Sequence, residues 1–196
     1  MTKEWVLENQ WQIADAAIRD QVMKSNPGRG FYTMYNGTDL RGWKGLVDNP
    51  VKRRAMSADT LAKKQVKADN IMRTGWYAKD DELHFTGHGD NLCSAKDYQD
   101  FDLYIDWKIE KDGDAGLYLR GSPQVQIWDP ENKGAHKYGA DKGSGGLWNN
   151  KKKGRWPLVK ADKLAGEWNH FFIRMLGDSV TIWLNGKLIV NDAPLE

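Results

Sequence analysis

Residues 101–109 read Phe-Asp-Leu-Tyr-Ile-Asp-Trp-Lys-Ile, with apolar and polar side chains alternating along most of the run. Successive side chains of a strand point to opposite faces. Phe101, Leu103, Ile105, Trp107 and Ile109 therefore share one face, and Asp102, Tyr104, Asp106 and Lys108 the other. A helix would scatter the same residues around its circumference and leave no apolar face to bury. Phe171, Ile173 and Met175 repeat the theme later, and Leu176-Gly-Asp-Ser179 and Leu184-Asn-Gly-Lys187 are hairpin turn signals. From Trp76 onward nearly everything reads as strand, over 76–78, 82–86, 91–94, 101–110, 116–120, 124–128, 146–148, 168–176, 180–184 and 187–190. So many short antiparallel runs predict an all-β fold, an antiparallel β-sandwich or jelly roll.

With 196 residues the chain is long enough for one domain with a full core. Residues 3–24 read as a helix, with Thr2 as cap and Leu7, Trp11, Ala14, Ile18 and Val22 on one stripe, ended by Asn26-Pro27-Gly28. Residues 1–28 are thus expected to form a helical arm docked on the flank of a β-domain over 29–196. Phe31 to Trp43 reads as an opening strand and a turn at Asn36-Gly37. From Lys44 to Arg73 the composition turns basic and helical, with a helical insert at about 57–73 capped by Ser57. Its Lys52-Arg53-Arg54 and Lys63-Lys64 clusters are interrupted by Asp59 and Asp69 and fit a solvated face. The total of 29 basic against 27 acidic residues likewise gives no global pull toward nucleic acid. No apolar run is long enough to span a bilayer. Cys93 is the sole cysteine and excludes an internal disulfide, which leaves the compartment open. Nothing in the sequence speaks to oligomeric state.

A second feature bears on function. In Gly113-Asp-Ala-Gly-Leu-Tyr-Leu-Arg-Gly-Ser-Pro-Gln-Val-Gln-Ile-Trp-Asp129, two short alternating runs flank a turn at Gly121-Ser122-Pro123. Pairing them as a hairpin puts Leu117, Leu119, Val125 and Ile127 toward the core. It leaves Tyr118, Arg120, Gln124, Gln126 and Trp128 in one polar and aromatic row. Solvated sheet faces are usually Lys, Glu and Thr, so this row reads as a binding surface. The chain is also rich in Trp, and although most Trp residues are expected in packing, an aromatic face beside amides suits a sugar ring and its hydroxyls.

Several strings, taken in order, resemble the 3-keto-disaccharide hydrolase domain family. Phe31-Tyr-Thr-Met-Tyr-Asn-Gly-Thr-Asp-Leu-Arg-Gly-Trp43 resembles its opening F-x-x-L-F-N-G-x-x-L-x-G-W. Phe101-Asp-Leu-Tyr-Ile-Asp-Trp107, Asp114-Ala-Gly-Leu-Tyr-Leu-Arg120, Val125-Gln-Ile-Trp-Asp129, Gly143-Ser-Gly-Gly-Leu-Trp148, Gly166-Glu-Trp-Asn169 and Leu184-Asn-Gly186 follow. The resemblance implies a concanavalin-like β-sandwich and activity on 3-keto-glycosides. Because members are commonly exported bacterial proteins, it also implies a periplasmic or cell-surface location, although Met1-Thr-Lys-Glu-Trp-Val lacks the apolar core of a signal peptide. Two departures stand out. Relatives read Asn-Ser-Gly or Asp-Ser-Gly where this chain has Asp114-Ala115-Gly116. They also continue past the last hairpin into an L-Q-x-H-G … F-R-N-I string, so the sandwich is expected to lack its last strands beyond Glu196.

A ketone at C3 acidifies the C2 proton, so the bond at C1 can break by elimination and water can add afterwards. That chemistry needs a base near C2, positive charge at the enolate oxygen and a proton donor for the leaving group. Asp129 and Asp114 are the candidate carboxylates for base or metal ligation, and Arg120 for the enolate. Gln124 and Gln126 would orient hydroxyls, while Trp128, Tyr118 or Trp148 would stack on the ring. His136 lies in the Gly- and Lys-rich loop 131–146, a candidate lid or ligand. Asp129 before Pro130 equally suits a turn cap, and Asp114 a hairpin tip. His84, His88 and His170 are read as structural or exposed. The enolate chemistry and some relatives allow a divalent metal ion, for which the sequence shows no ligand set; no organic cofactor is implied. The alternative to an enzyme is a non-catalytic, lectin-like carbohydrate-binding module, since one sandwich hosts both. A third reading is an interaction domain docking a partner through its helix and basic insert.

Overall fold

A computed structural model of the chain describes residues 32–196. The helix expected at 3–24, its cap and its docking on the β-domain lie outside the described residues. The chain divides into two compact units, Gly30–Asp97, described from Tyr32, and Tyr98–Glu196. Among the described residues strand dominates, all pairing is antiparallel and no barrel closes, so the fold is the expected all-β sandwich. None of the described helices is long and apolar enough to cross a membrane.

In the first unit, β1 (Trp43–Gly45) pairs with β4 (Leu92–Ser94), and β2 (Trp76–Lys79) forms a hairpin with β3 (Glu82–Phe85). Of the opening strand and turn expected over 31–43, described residues 32–42 form no strand and Trp43 begins β1. The Asn36 Oδ1 accepts from the backbone N–H of Thr38 and Asp39, and Asp39 accepts from that of Arg41, so side chains hold this segment in turns. Lys44 and Gly45 belong to β1, where a helical stretch was expected. The basic segment then holds a short helix, α1 (Pro50–Arg54), capped by Asn49, and the insert α2 (Ala58–Gly75), capped by Ser57 as expected. Helix α2 lies against β1 through polar contacts. Asp69 accepts from the Gly45 N–H at 2.8 Å and Gln65 donates to the Gly45 carbonyl at 2.8 Å. A β-carbon at Gly45 would fall 2.2 Å from the Ala68 carbonyl oxygen, so only glycine permits this approach. Lys52 and Lys64 are both paired with Asp48.

In the second unit, β10 (Lys187–Pro194), β9 (Ser179–Leu184), β8 (Asn169–Leu176) and β5 (Phe101–Trp107) form one sheet in that order. Strand β5 stops at Trp107 because its partner β8 begins opposite, at Asn169. Strand β10 outruns its expected end at Val190 because two register shifts let it continue through the polar Asn191 and Asp192. The inner face carries the core that the alternation implied. Phe171, Ile173, Met175, Val180, Ile182, Leu184 and Ile189 pack with Leu119, Val125, Ile127 and Leu147, which come from the opposing layer. On the outer face the cross-strand partners match in chemistry. Asp102 takes both a 2.7 Å Nε–H and a 2.7 Å Nη2–H bond from Arg174, Tyr104 stacks on Phe172 at 4.8 Å, and Asp106 meets His170 at 2.6 Å. The bonded Asp102 carboxylate raises the Arg174 pKa further.

The opposing layer is the hairpin β6 (Asp114–Tyr118) and β7 (Gln124–Trp128). Strand β6 begins two residues before the expected Gly116 and ends at Tyr118. Leu119 to Pro123 are consumed by the turn, where Arg120 takes a left-handed φ of 53°. The expected strand at 146–148 is a single bridge, Leu147 against Val125, flanked by backbone bonds that lay residues 145–148 along the free edge of β7.

Candidate functional site

The hairpin register sets Tyr118 opposite Gln124, Gly116 opposite Gln126 and Asp114 opposite Trp128, so Tyr118, Gln124, Gln126 and Trp128 share one face as expected. Both amides of this face are engaged within the hairpin. Gln126 is 5% exposed, and its amide nitrogen donates to the Asp114 carboxylate at 2.6 Å and to the Ala115 carbonyl at 3.1 Å. Gln124 lies over Gly116, where any β-carbon would collide with it, and donates to the Ala115 carbonyl at 3.4 Å. Tyr118 stays 54% exposed. Arg120 is absent from the row. Its left-handed turn aims the guanidinium at the opposite sheet, where it donates to the Gly177 carbonyl at 2.7 Å and to that of Gln99 at 3.4 Å, with Asp178 at 3.7 Å. A strand continued through Arg120 would keep it in the row, but the turn claims that residue.

Asp129 is 3% exposed, and each carboxylate oxygen accepts a backbone N–H, Oδ2 from Asp112 at 2.9 Å and Oδ1 from Glu131 at 3.0 Å. It does the work of a turn cap. Trp128 is 4% exposed, with its indole N–H on the Gly143 carbonyl at 3.2 Å. With no free ring face, Trp128 acts as a support.

That support leads to a cleft of about 440 Å³. Two segments line it. His136 to Lys142, Ala140 excepted, contribute one part, and Trp148, Arg155 and Trp156 the other. Trp128 meets Trp148 edge-on at 5.5 Å, and Trp148 meets Trp156 edge-on at 6.5 Å, so three indoles run from the hairpin into the cleft. The Arg155 guanidinium lies 4.5 Å from the centre of the Trp148 ring and 5.0 Å from that of Trp156, and the Lys142 ammonium is 3.9 Å from the Trp156 centre.

Local sequence explains the first segment. After Asp129 turns the chain, Asn132 caps a 3-10 helix over Lys133–Tyr138 by accepting from the Gly134 and Ala135 N–H groups. Gly139, at φ 102°, ends it, a conformation that disfavours a β-carbon. A β-carbon there would also sit 2.2 Å from the Trp156 ring. Gly139→Ala is therefore expected to cost at least about 1–2 kcal/mol from backbone strain alone and to displace Trp156, measurable by urea unfolding and by Trp fluorescence. The chain returns to the hairpin at Ser144, whose hydroxyl accepts from the Trp128 N–H at 3.0 Å and whose N–H is held by Asp162. Lys160 pairs with Glu131 at 2.9 Å, and this bond holds the Glu131 carboxyl below its ordinary pKa. The loop 131–146, expected as a lid or a ligand source, is tied down at both ends and forms a wall of the cleft.

His136 has one ring nitrogen committed. Its Nε2 lies 3.0 Å from the Pro130 carbonyl, which only accepts, so Nε2 carries a proton. In the neutral ring Nδ1 then holds the lone pair, the arrangement a general base requires. Of the residues expected in a site, the cleft gathers His136 and Trp148, with Trp128 behind them. Asp114, Tyr118, Arg120, Gln124, Gln126 and Asp129 are not among its lining residues. Lys137, Tyr138, Asp141, Lys142, Arg155 and Trp156 are lining residues that pattern reading missed. The one signal for them was cations beside aromatics, in His136-Lys-Tyr138 and Lys151-Lys-Lys-Gly-Arg-Trp156. Among the described residues no three His, Cys, Asp or Glu side chains gather to hold a metal ion. The two expected carboxylates accept N–H groups from the protein.

Comparison with known proteins agrees with this architecture. A 3-keto-disaccharide hydrolase of Bacteroides thetaiotaomicron is 24% identical over 178 residues, 79% of this chain and 55% of that protein, so the chain spans about half the length of this relative. Two crystal structures of candidate glycosyl hydrolases from Parabacteroides distasonis share the fold. One has a TM-score of 0.58 at 21% identity, covering 85% of this chain and 73% of that one. The other has a TM-score of 0.52 at 22% identity, covering 61% and 63%. The family model of the 3-keto-alpha-glucoside-1,2-lyase-like domain matches residues 30–196. The chain belongs to that family.

Proposed function

We propose that the cleft binds a 3-keto-glycoside and breaks its C1–O bond by elimination, followed by hydration. The observation that carries this reading is His136, which lines a cleft of aromatic rings and cations with its Nε2 engaged by the Pro130 carbonyl. The Nδ1 lone pair takes the C2 proton, and the electrons of that C–H bond pass toward the C3 ketone as an enolate. Lys137 supplies positive charge to the enolate oxygen, as a preorganised field rather than as solvent. When the enolate collapses, the C1–O bond breaks and a C1=C2 double bond forms. The leaving oxygen takes a proton from His136 or from the Tyr138 hydroxyl and departs as a free sugar. Water then adds its oxygen to C1 and a proton to C2. No step is assigned to a metal ion, since the lining residues supply no ligand set.

A lectin-like module remains the competing reading, and one observation favours it. Asp129 and Asp114, the carboxylates expected to do chemistry, accept hydrogen bonds from the protein itself. Incubation with a 3-keto-disaccharide, alone, with added divalent metal and with chelator, separates the two. Free sugar is the expected product with chelator present. Binding by calorimetry with no sugar released under any of the three conditions would establish the lectin instead.

A further inference from the structure

The charge in the cleft exceeds what this reaction consumes. Lys137, Lys142 and Arg155 line it, against the single carboxylate of Asp141. An enolate develops one negative charge and offsets one cation; a further positive charge is left over. Nor, among the described residues, are these cations paired with a carboxylate. Lys137 lies 4.9 Å from the Tyr138 ring centre and Lys142 lies over Trp156, and these ring contacts leave their ammonium N–H groups for a ligand. Arg155 gives Nη1 to the Trp148 and Asn150 carbonyls and keeps Nε and Nη2 as a planar pair of donors. The same placements weaken simple stacking of a neutral pyranose, because Arg155 and Lys142 already sit over the two indole rings.

We infer that the site selects a glycoside bearing an anionic substituent, a carboxylate or a phosphate on the sugar, read by the Nε and Nη2 donors of Arg155 with Lys142 beside it. The inference rests on the reading of the cleft as the sugar site. A fork of two parallel N–H donors matches the two oxygens of either group, and Arg presents it where Lys cannot. Surface cations alone would also attract such ligands, but without dependence on that fork.

The test measures binding of three disaccharides by calorimetry at low salt: a neutral glucoside, the matching glucuronide and the matching 6-phosphoglucoside, with inorganic phosphate as a control. At least one anionic sugar is expected to bind about tenfold more tightly than the neutral one, a gap that narrows as salt screens it. The stronger of the two identifies the group that is read. Arg155→Lys, which keeps the charge and removes the fork, is expected to shrink that ratio several-fold, and Lys142→Met to shrink it independently. Equal affinities for charged and neutral sugars, with the neutral 3-keto form still turned over, overturn this inference and leave the proposed function standing. Failure of all three sugars to bind overturns both. Inorganic phosphate binding as tightly as the anionic sugars, or a preference that Arg155→Lys leaves intact, also overturns the assignment.

Discussion

His136→Gln is expected to lower the rate of sugar release from a 3-keto-disaccharide by roughly 10²–10⁴-fold, the range that a positioned general base contributes. Glutamine can keep an N–H on the Pro130 carbonyl, yet its remaining group is an amide that does not take a carbon-bound proton. Binding and unfolding should therefore stay near those of the parent protein while turnover is lost. A parallel loss of affinity would instead make His136 a wall residue, and unchanged turnover would remove it from the chemistry. The geometry around His136 is set locally: Asn132 caps the 3-10 turn, and the Nε2 contact at 3.0 Å sets the ring.

Phe171→Ala is expected to cost about 3–5 kcal/mol, as deletions of buried aromatic side chains do. Phe171 is 1% exposed, packs against Trp107 at 5.4 Å and lies 3.3 Å from where a β-carbon on Gly145 would stand. It therefore fills the core beneath the segment that carries Trp148. Since a domain of this size is typically stable by only about 5–15 kcal/mol, the substitution should lower the midpoint of urea unfolding sharply. It should also weaken sugar binding at temperatures where the protein remains folded. A midpoint shift equivalent to less than about 1 kcal/mol would mean that neighbouring side chains close the cavity.

Where alternation was uninterrupted, the fold was legible. Phe101, Leu103, Ile105, Phe171, Ile173 and Met175 reach the core because a period of two leaves one apolar face to bury. The hairpin 114–128 and the helix capped at Ser57 were legible for similarly local reasons. Places where a side chain bonds its own backbone, as Asn36 and Asp39 do, were not, because apolar spacing does not report such bonds. Arg120 shows the same limit: extending β6 into the turn put the guanidinium on the wrong side. The cleft was only half visible. His136 and Trp148 were candidates by residue type, but Arg155 and Trp156 reach them through a loop return that no local period encodes. Asp129 had two readings in the sequence, and the backbone N–H groups of Asp112 and Glu131 realise the turn cap.

The claim that the cleft between His136 and Trp156 receives the sugar is tested most directly by following the indole N–H signals by NMR. The parent, non-reactive disaccharide is titrated into the protein and all tryptophans are observed. Trp148 and Trp156 are expected to shift most, Trp128 less because its N–H is held by Gly143, and Trp183, buried with Phe172 on the other face of the main sheet, not at all. Saturable binding with Trp148 and Trp156 unmoved, or with perturbations centred on Tyr118 and Gln124 of the hairpin, would contradict it.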